Sequence, residues 1–502
     1  MSRIVFFLLP LFVSSPSLAQ LNCDIGSLPE LPDVRWTSLE EVANPVPHCK
    51  AAGIIGPEIR FELLLPEDWN GKFVMGGGGG FVGSVQNSSL AYGSLAAGYA
   101  TVGTDTGHQA GGIDGSWALN NLERLVNFGH QAVHRTAVTA KSVIRDYYDA
   151  DIEQNYFVGC SRGGGQALME AQRYPDDFDG IVAGAPAYSW SGLSALGIQI
   201  QQAMFPDSSN LSAAIISPAE QALLEGMILS SCDAQDGIED GILNDPRQCG
   251  FSISELPSCS AGDTDECFTD AERAAISKVY SGPTDSRGRP LFYGYPFGGE
   301  SDNGGWTSWL SGGVQSSTRN NGAQAIPNAS FGFSTGIMKN MVFHDANWDF
   351  SSYRFDNFDE EVAVMSATLN ATNPDLSAYR DNGGKLLIYH GWSDAALTAL
   401  GSIGYYDQVL DKDPTAREDV QLYMMPGVLH CAGGKGPSKV NFLEVIDQWV
   451  ASGDAPDELV ASYPPGSQRT GTRPLCVYPQ IAEYDGSGDS FDASNFSCVN
   501  PQ

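Results

Sequence analysis

The sequence predicts an α/β fold in which one large insertion interrupts the alternation of strand and helix. Three observations carry this reading. Short apolar runs ending in glycine-rich loops alternate with helical segments from 72 to 183, the rhythm dissolves between about 190 and 371, and it resumes from 385 to 450. Lys72 to Met75 runs into the glycine tract Gly76 to Gly80, and Tyr99 to Val102 runs into Gly103-Thr104-Asp105, so both are expected to be strands feeding loops. Residues 121–148 place Leu122, Leu125, Val126, Val133, Ala137, Val138 and Ile144 at mostly helical spacing, which predicts one long helix. Asn155 to Val158 and Phe178 to Ala183 predict two further strands around a small-residue helix, Gly163 to Tyr174. The stretch 190–371 is rich in Gly, Ser, Asn and aromatic residues and shows no repeat, so it reads as an inserted lid. Strands at Lys385 to Tyr389 and Val420 to Met424 and an amphipathic helix at Val440 to Val450 return the chain to the first domain. The expected organisation is a leader at 1–19, the α/β domain at 20–189 and 372–502, and the lid at 190–371.

Composition narrows the partners. With 42% hydrophobic residues in 502, the chain can fill a large core. Its 27 Lys and Arg face 60 Asp and Glu, and a net charge of −33 repels nucleic acid and anionic lipid alike. No nucleic-acid or membrane partner is expected. Arg3, the apolar run Ile4 to Val13 and the small residues of Ser17-Leu18-Ala19 form a secretory signal peptide pattern cut after Ala19, and the run is too short to span a bilayer. A secreted or periplasmic protein would oxidise its thiols. The ten cysteines contain no C-x-x-C pair and suit five disulfides. Four pairs can be local: Cys23 with Cys49, Cys232 with Cys249, Cys259 with Cys267, and Cys476 with Cys498. Cys160 and Cys431 are left.

The chemistry centres on Gly159-Cys160-Ser161-Arg162-Gly163, a G-x-S-x-G pattern with a predicted strand before it and a helix after it. Such a sharp turn lifts the serine hydroxyl above the sheet and needs small flanking residues. Gly332-Phe333-Ser334-Thr335-Gly336 matches the same pattern but follows no apolar strand, so Ser161 is the expected nucleophile. A serine needs a base, and the base needs an acid to hold its tautomer. In the chain order Ser, acid, His, the candidates are Asp394 in His390-Gly391-Trp392-Ser393-Asp394 and His430 in the loop Pro426 to Cys431. A disulfide between Cys160 and Cys431 would staple the serine and histidine loops together. Oxyanion donors are expected at the backbone N–H of Arg162 and in the glycine tract, at Gly79 or Gly80. That tract lacks the Lys and Ser/Thr of a phosphate-binding loop.

Two further groups of ligand-type residues stand out. Asp233, Asp236 and Asp240 recur between Cys232 and Cys249 with glycines among them, and with the carbonyls of Ile238 and Ile242 they would suit calcium as a structural ion. His130 and His134 stand one helical turn apart and could chelate zinc, but with no acid between them, surface or packing roles are the expectation.

The patterns Gly159-Cys160-Ser161, Gly391-Trp392-Ser393-Asp394 and Leu429-His430-Cys431, with Asp179 to Pro186 and Arg473 to Cys476, resemble the tannase and feruloyl esterase family across nearly the whole mature chain. The resemblance implies an α/β-hydrolase fold with a large inserted lid domain and a serine carboxylic ester hydrolase with the triad Ser161, Asp394 and His430. It also implies Gly80 and Arg162 as oxyanion donors, calcium in the lid, and an aromatic acyl group held by Trp309, Phe333 and Ser334. One departure bears on substrate. Family members that cleave terephthalate half-esters carry an arginine shortly before the Gly-Phe-Ser stretch, where this chain reads Ile326-Pro327-Asn328-Ala329-Ser330. Feruloyl-type or related aryl esters are therefore expected over terephthalate or gallate esters. A noncatalytic aromatic-ligand binder is the alternative outside enzymology.

Overall fold

Nine strands form one mixed sheet, described here from a computed structural model covering residues 23–260, 266–314, 320–321 and 324–501. The expected leader lies outside the described residues. The strands are β1 (Val34–Val42), β2 (His48–Ile55), β3 (Ile59–Pro66), β4 (Lys72–Gly76), β5 (Ala100–Thr104), β6 (Gln154–Cys160), β7 (Gly180–Gly184), β8 (Lys385–Gly391) and β9 (Val420–Met425). Their order across the sheet is β1-β2-β3-β5-β4-β6-β7-β8-β9, antiparallel as far as β5 and parallel from β5 onward.

The parallel strands read as continuous apolar runs because both their faces are covered. In β6, Phe157 packs with Phe73, Ile181 and Ile388 on one face, whereas Tyr156 and Val158 pack with Val74, Val182 and Leu387 on the other. The first face is covered by α1 (Ala132–Tyr148) and α2 (Arg162–Arg173), and the second by α8 (Phe442–Ser452), whose Phe442, Ile446 and Trp449 are buried. Between β7 and β8 the chain leaves the sheet and forms a largely helical layer that includes α3 (Trp190–Met204), α4 (Pro218–Cys232), α5 (Asp270–Ser281) and α6 (Ala329–Ile337). It has its own apolar core, which also takes in Phe81, Trp117 and Phe128 from the loops above the sheet. The chain then returns through β8, α7 (Ala399–Lys412) and β9.

Three differences from the sequence reading have local causes. β1 to β3 were hidden because β1 has no buried position, β2 alternates buried with half-buried ones and β3 alternates only in its first half, all in a segment marked mainly by its cysteines. The expected helix over 121–148 is instead a short helix, a π-turn at Asn127–Gln131, and α1. Gly129 lies in that turn, where a Cβ would stand 2.6 Å from the Thr368 carbonyl oxygen, so the inserted layer approaches the helix at its widened turn. The insertion is also more helical than its Gly and Ser content suggests. Side-chain caps start its helices: Ser217 and Glu220 form a capping box on α4, and Thr269 and Glu272 form one on α5.

All five disulfides join the pairs expected: 23–49, 160–431, 232–249, 259–267 and 476–498. Among the described residues no helix is long and apolar enough to cross a membrane. The parallel strands end level with one another, with Gly184 opposite both Cys160 and Tyr389. The loops that follow β6, β8 and β9 therefore meet along one edge of the sheet, where ligand sites of such folds form.

Close packing of α2 on this edge depends on its small residues. A Cβ on Gly164 would lie 2.2 Å from the carbonyl oxygen of Gly184, which is backbone and cannot swing away. Gly164→Ala is expected to destabilise the protein by about 1–3 kcal/mol despite alanine's better helix propensity. Chemical denaturation would show this, and a midpoint at or above that of the wild type would contradict the close approach.

Candidate active site

Ser161 occupies the turn between β6 and α2 at φ 64°, ψ −122°. A residue with a Cβ is strained there and holds that conformation only when its surroundings fix it. The Ser161 N–H donates to the Gly184 carbonyl at 2.9 Å, and its own carbonyl accepts from the N–H groups of Gly165 and Ala187 at 3.0 and 2.9 Å. The end of β7 thus clamps the turn.

Asp394 lies in the loop after β8 and is 2% exposed. Its Oδ1 accepts the N–H groups of Ala396 and Leu397 at 2.8 and 3.1 Å, and its Oδ2 accepts from Nδ1 of His430 at 2.7 Å. Burial works to raise its carboxyl, but the imidazoles of His430 and His390 outweigh that and hold it well below the usual carboxylate range. With Nδ1 committed to Asp394, His430 presents Nε2 to the cavity whose wall it shares with Ser161. The disulfide Cys160–Cys431, with Cα atoms 6.0 Å apart, ties the residue before the serine to the residue after the histidine. Closing a loop of 271 residues is worth about 5 kcal/mol in the chain-entropy model.

The cavity holds about 660 Å³, a size that suits a small aromatic ligand. Trp309, Phe333 and Ser334 all line it. The rings of Trp309 and Phe333 lie nearly parallel at 6.4 Å, and Trp309 meets His430 edge-on at 5.2 Å. Phe333 is steadied in turn by Phe81 at 5.0 Å. Ser334 sits inside α6 with its hydroxyl donated to the Ser330 carbonyl at 2.6 Å, so the second G-x-S-x-G match is a piece of helix. The sequence reading missed Trp190, Tyr295 and Leu397, which also line the wall. Trp190 and Tyr295 belong to the aromatic-rich insertion, whereas Leu397 follows Asp394 by three residues in the loop after β8.

In the glycine tract, the Gly79 N–H donates to Gln86 Oε1 at 2.8 Å. Gly80 has φ +57°, and a Cβ there would lie 2.4 Å from the Gly112 carbonyl oxygen, so only glycine lets the chain turn this tightly beside the cavity. The Arg162 side chain folds away from the cavity's centre. Its Nη2 donates to the carbonyls of Phe128 and Gly129, and its guanidinium lies 4.3 Å over the Phe128 ring.

The family model for tannase and feruloyl esterase matches residues 43–499. The chain belongs to the tannase and feruloyl esterase family. It is 32% identical to a mono(2-hydroxyethyl) terephthalate hydrolase of Piscinibacter sakaiensis over 90% of this chain and 85% of that protein. It is 30% identical to feruloyl esterase B of Aspergillus niger over 87% and 83% of the two chains. The crystal structure of feruloyl esterase B from Aspergillus oryzae superposes with a TM-score of 0.81 at 27% identity, covering 94% of this chain and 97% of that one. These relatives establish a carboxylic ester hydrolase with an α/β-hydrolase fold.

The acidic loop of this family member is organised around one cation. Asp233 accepts the N–H groups of Gly241 and Ile242 at 3.0 and 3.2 Å, while Arg473 bridges Asp236 and Asp240 at 2.7 and 3.2 Å. Asp236 and Asp240 are nearly buried, and that burial raises their carboxyls despite the arginine. One guanidinium serves three carboxyl groups, two of them largely buried, and a set of hard oxygen donors of this kind fits a divalent ion.

His390 entered the sequence reading only as the first residue of the stretch that carries Asp394. It is buried on β8, with Nδ1 2.7 Å from the Ser402 hydroxyl and Nε2 3.2 Å from Asp394 Oδ2 and 3.1 Å from the Leu397 carbonyl. Both acceptors around Nε2 place its proton there, so two imidazoles orient one carboxylate oxygen. His390→Phe is expected to lower kcat about 10- to 100-fold, the range for losing a hydrogen bond to a charged group, with a much smaller change in KM. His390→Gln, which keeps a donor, should recover part of the loss; equal losses in both variants would mean that the residue acts through packing alone.

Proposed function

We propose that this protein is a secreted serine esterase that hydrolyses esters of aromatic acids through an acyl-enzyme. The observation that carries the reading is the His430–Asp394 pair, opening with Ser161 onto one aromatic-walled cavity. In the proposed cycle His430 Nε2 takes the proton of Ser161 Oγ as the oxygen attacks the ester carbonyl. The developing oxyanion is met by the backbone N–H groups of Arg162 and Gly80, since that of Gly79 is held by Gln86. His430 then returns the proton to the departing alcohol, activates water, and Ser161 is released with the acid. Asp394 stays ionised throughout and balances the imidazolium.

The choice of substrate rests on what lines the acyl pocket. The aromatic faces of Trp309, Phe333 and Trp190 suit a phenyl ring. The one guanidinium of the lining is that of Arg162, and it is turned into the protein, with Nη2 on two carbonyls and Nε and Nη1 buried. A second carboxylate on the acyl group would be desolvated without a partner, which favours neutral feruloyl-type acids over terephthalate half-esters. The segment 190–371 acts in this reading as the lid. Five disulfides support an oxidising, extracellular setting. Calcium, where bound, would be held by the carboxylates of Asp233, Asp236 and Asp240 with the carbonyls of Ile238 and Ile242, and would supply charge compensation at a distance from the chemistry.

Ser161→Ala is expected to abolish turnover of methyl ferulate while leaving the melting temperature within a few degrees. In a panel of ferulate, gallate and terephthalate monoesters, kcat/KM should be largest for ferulate, and a rate dominated by terephthalate would refute the role given to the missing cation. Dialysis against a calcium chelator should lower the melting temperature, and calcium should restore it. Asp236→Asn should abolish that response, whereas a melting temperature indifferent to chelation would remove the ion from the account.

A further inference from the structure

Behind the active-site turn, at the far end of α2, is a cluster that ester hydrolysis does not use. Glu170 is 1% exposed in the last turn of α2, Asp177 is 8% exposed in the loop before β7, and His134 projects from the first turn of α1 with its side chain 31% exposed. One donor atom from each of the three lies within 4.8 Å of the others. His134 Nδ1 is 2.6 Å from Asp177 Oδ2, and the imidazole is stacked on Tyr174 at 3.9 Å, which fixes its plane. Among the described residues no donor is bonded to either oxygen of Glu170, whose polar neighbour is the Asp177 carboxyl, another acceptor.

Two carboxyl groups in contact and out of water need a shared positive centre. Lys141 supplies one charge, with Nζ 3.7 Å from Asp177 Oδ1 and bonded to the Asp177 carbonyl, and the Arg162 guanidinium acts on Glu170 through space, but among the described residues no donor is bonded to Glu170. The unbonded carboxyl of Glu170 is met either by a proton or by a metal ion. The imidazole decides the class of ion, because one nitrogen and two carboxylate oxygens suit first-row transition ions and leave too few oxygens for calcium. We infer that His134, Glu170 and Asp177 form a second metal site that takes a divalent ion such as Zn²⁺ or Mn²⁺. Tetrahedral ligands about 2.0–2.1 Å from such an ion lie roughly 3.3 Å apart, so His134 and Asp177 need part by less than 1 Å to admit it. The exposed side of His134 is the way in. His130 takes no part in this site, since its Nδ1 is bonded to the Tyr174 hydroxyl at 2.6 Å.

The site joins α1, the end of α2 and the loop into β7, about 14 Å along the helix from Ser161, so its effect is on the stability of the turn's supporting helix. The test uses the full-length, calcium-loaded enzyme dialysed against Zn²⁺ or Mn²⁺ alone, with metal counted by elemental analysis and Co²⁺ absorption as the spectroscopic probe. The expected result is one additional ion per chain and a melting temperature that rises with its concentration. Glu170→Gln, which matches the neutral acid in shape, and His134→Asn should each lose that ion while keeping calcium and esterase turnover. No additional ion in the wild type, with an infrared band for a neutral Glu170 carboxyl that vanishes in Glu170→Gln, would overturn the site in favour of a shared proton. An additional ion retained by both variants would overturn it as well. Because the readout is metal content, neither result depends on which ester the enzyme prefers.

Discussion

The contact between Asp394 and His430 is the constraint around which the molecule is arranged. A buried carboxylate is tolerable only if donors surround it, and this one draws on two backbone N–H groups and two imidazoles supplied by three segments of the chain. Those segments reach it because β8 lies between β7 and β9, so that the loops after β6, β8 and β9 open at one edge. The Cys160–Cys431 bond then fixes the distance between the serine turn and the histidine loop, which the sheet alone would leave to two flexible connections. The glycines around the turn serve the same end, since α2 can bring Ser161 to that edge only where backbone meets backbone without a Cβ between them.

The inserted layer depends on this edge as well as covering it. Lys435, four residues beyond Cys431, pairs with Glu225 of α4 at 2.5 Å and with Asp302 at 3.4 Å, while the Ser301 N–H and hydroxyl also donate to Glu225. Burial alone would raise Glu225, but Lys435 and Ser301 bring its carboxyl below the ordinary range. The histidine loop is therefore held from both sides, by a disulfide toward the sheet and by an ion-pair cluster toward the insertion. Arg473 plays a comparable part, crossing from a strand near the C-terminus, Thr472–Cys476, to Asp236 and Asp240 of the acidic loop.

Much of this was legible in the sequence because the determining signals are local. The strand, turn and helix around Ser161 follow from seven or eight neighbouring residues, and four cysteine pairs followed from spacing, with one distant pair left over. What stayed hidden depended on contacts remote in sequence. His390 looked like one more strand residue, because its partners Ser402 and Leu397 acquire meaning only once β8 and α7 are folded together. The antiparallel strands β1 and β2 are only partly buried along their length, a weaker signal than the apolar runs of the sheet centre. Glu170 offered no signal at all, since a glutamate in an amphipathic helix is ordinarily solvated and its burial comes from α1 and the loop before β7.

The charge of the pocket and that of the whole chain point the same way. A surface carrying −33 disfavours the approach of anions over distances of about a Debye length, and the proposed acyl pocket turns its one guanidinium, that of Arg162, away onto backbone carbonyls. For the proposed reaction, this asymmetry falls between substrate and product. A neutral ester enters on its aromatic surface alone, but hydrolysis converts its acyl half into a carboxylate inside the cavity. There the anion finds only the transient company of His430 before it leaves toward water that solvates it better. An arginine positioned to bind a second carboxylate would slow that departure as well as change specificity. Its absence is thus consistent with a site whose binding energy comes from ring surface and whose product is expelled by the charge that the reaction itself creates.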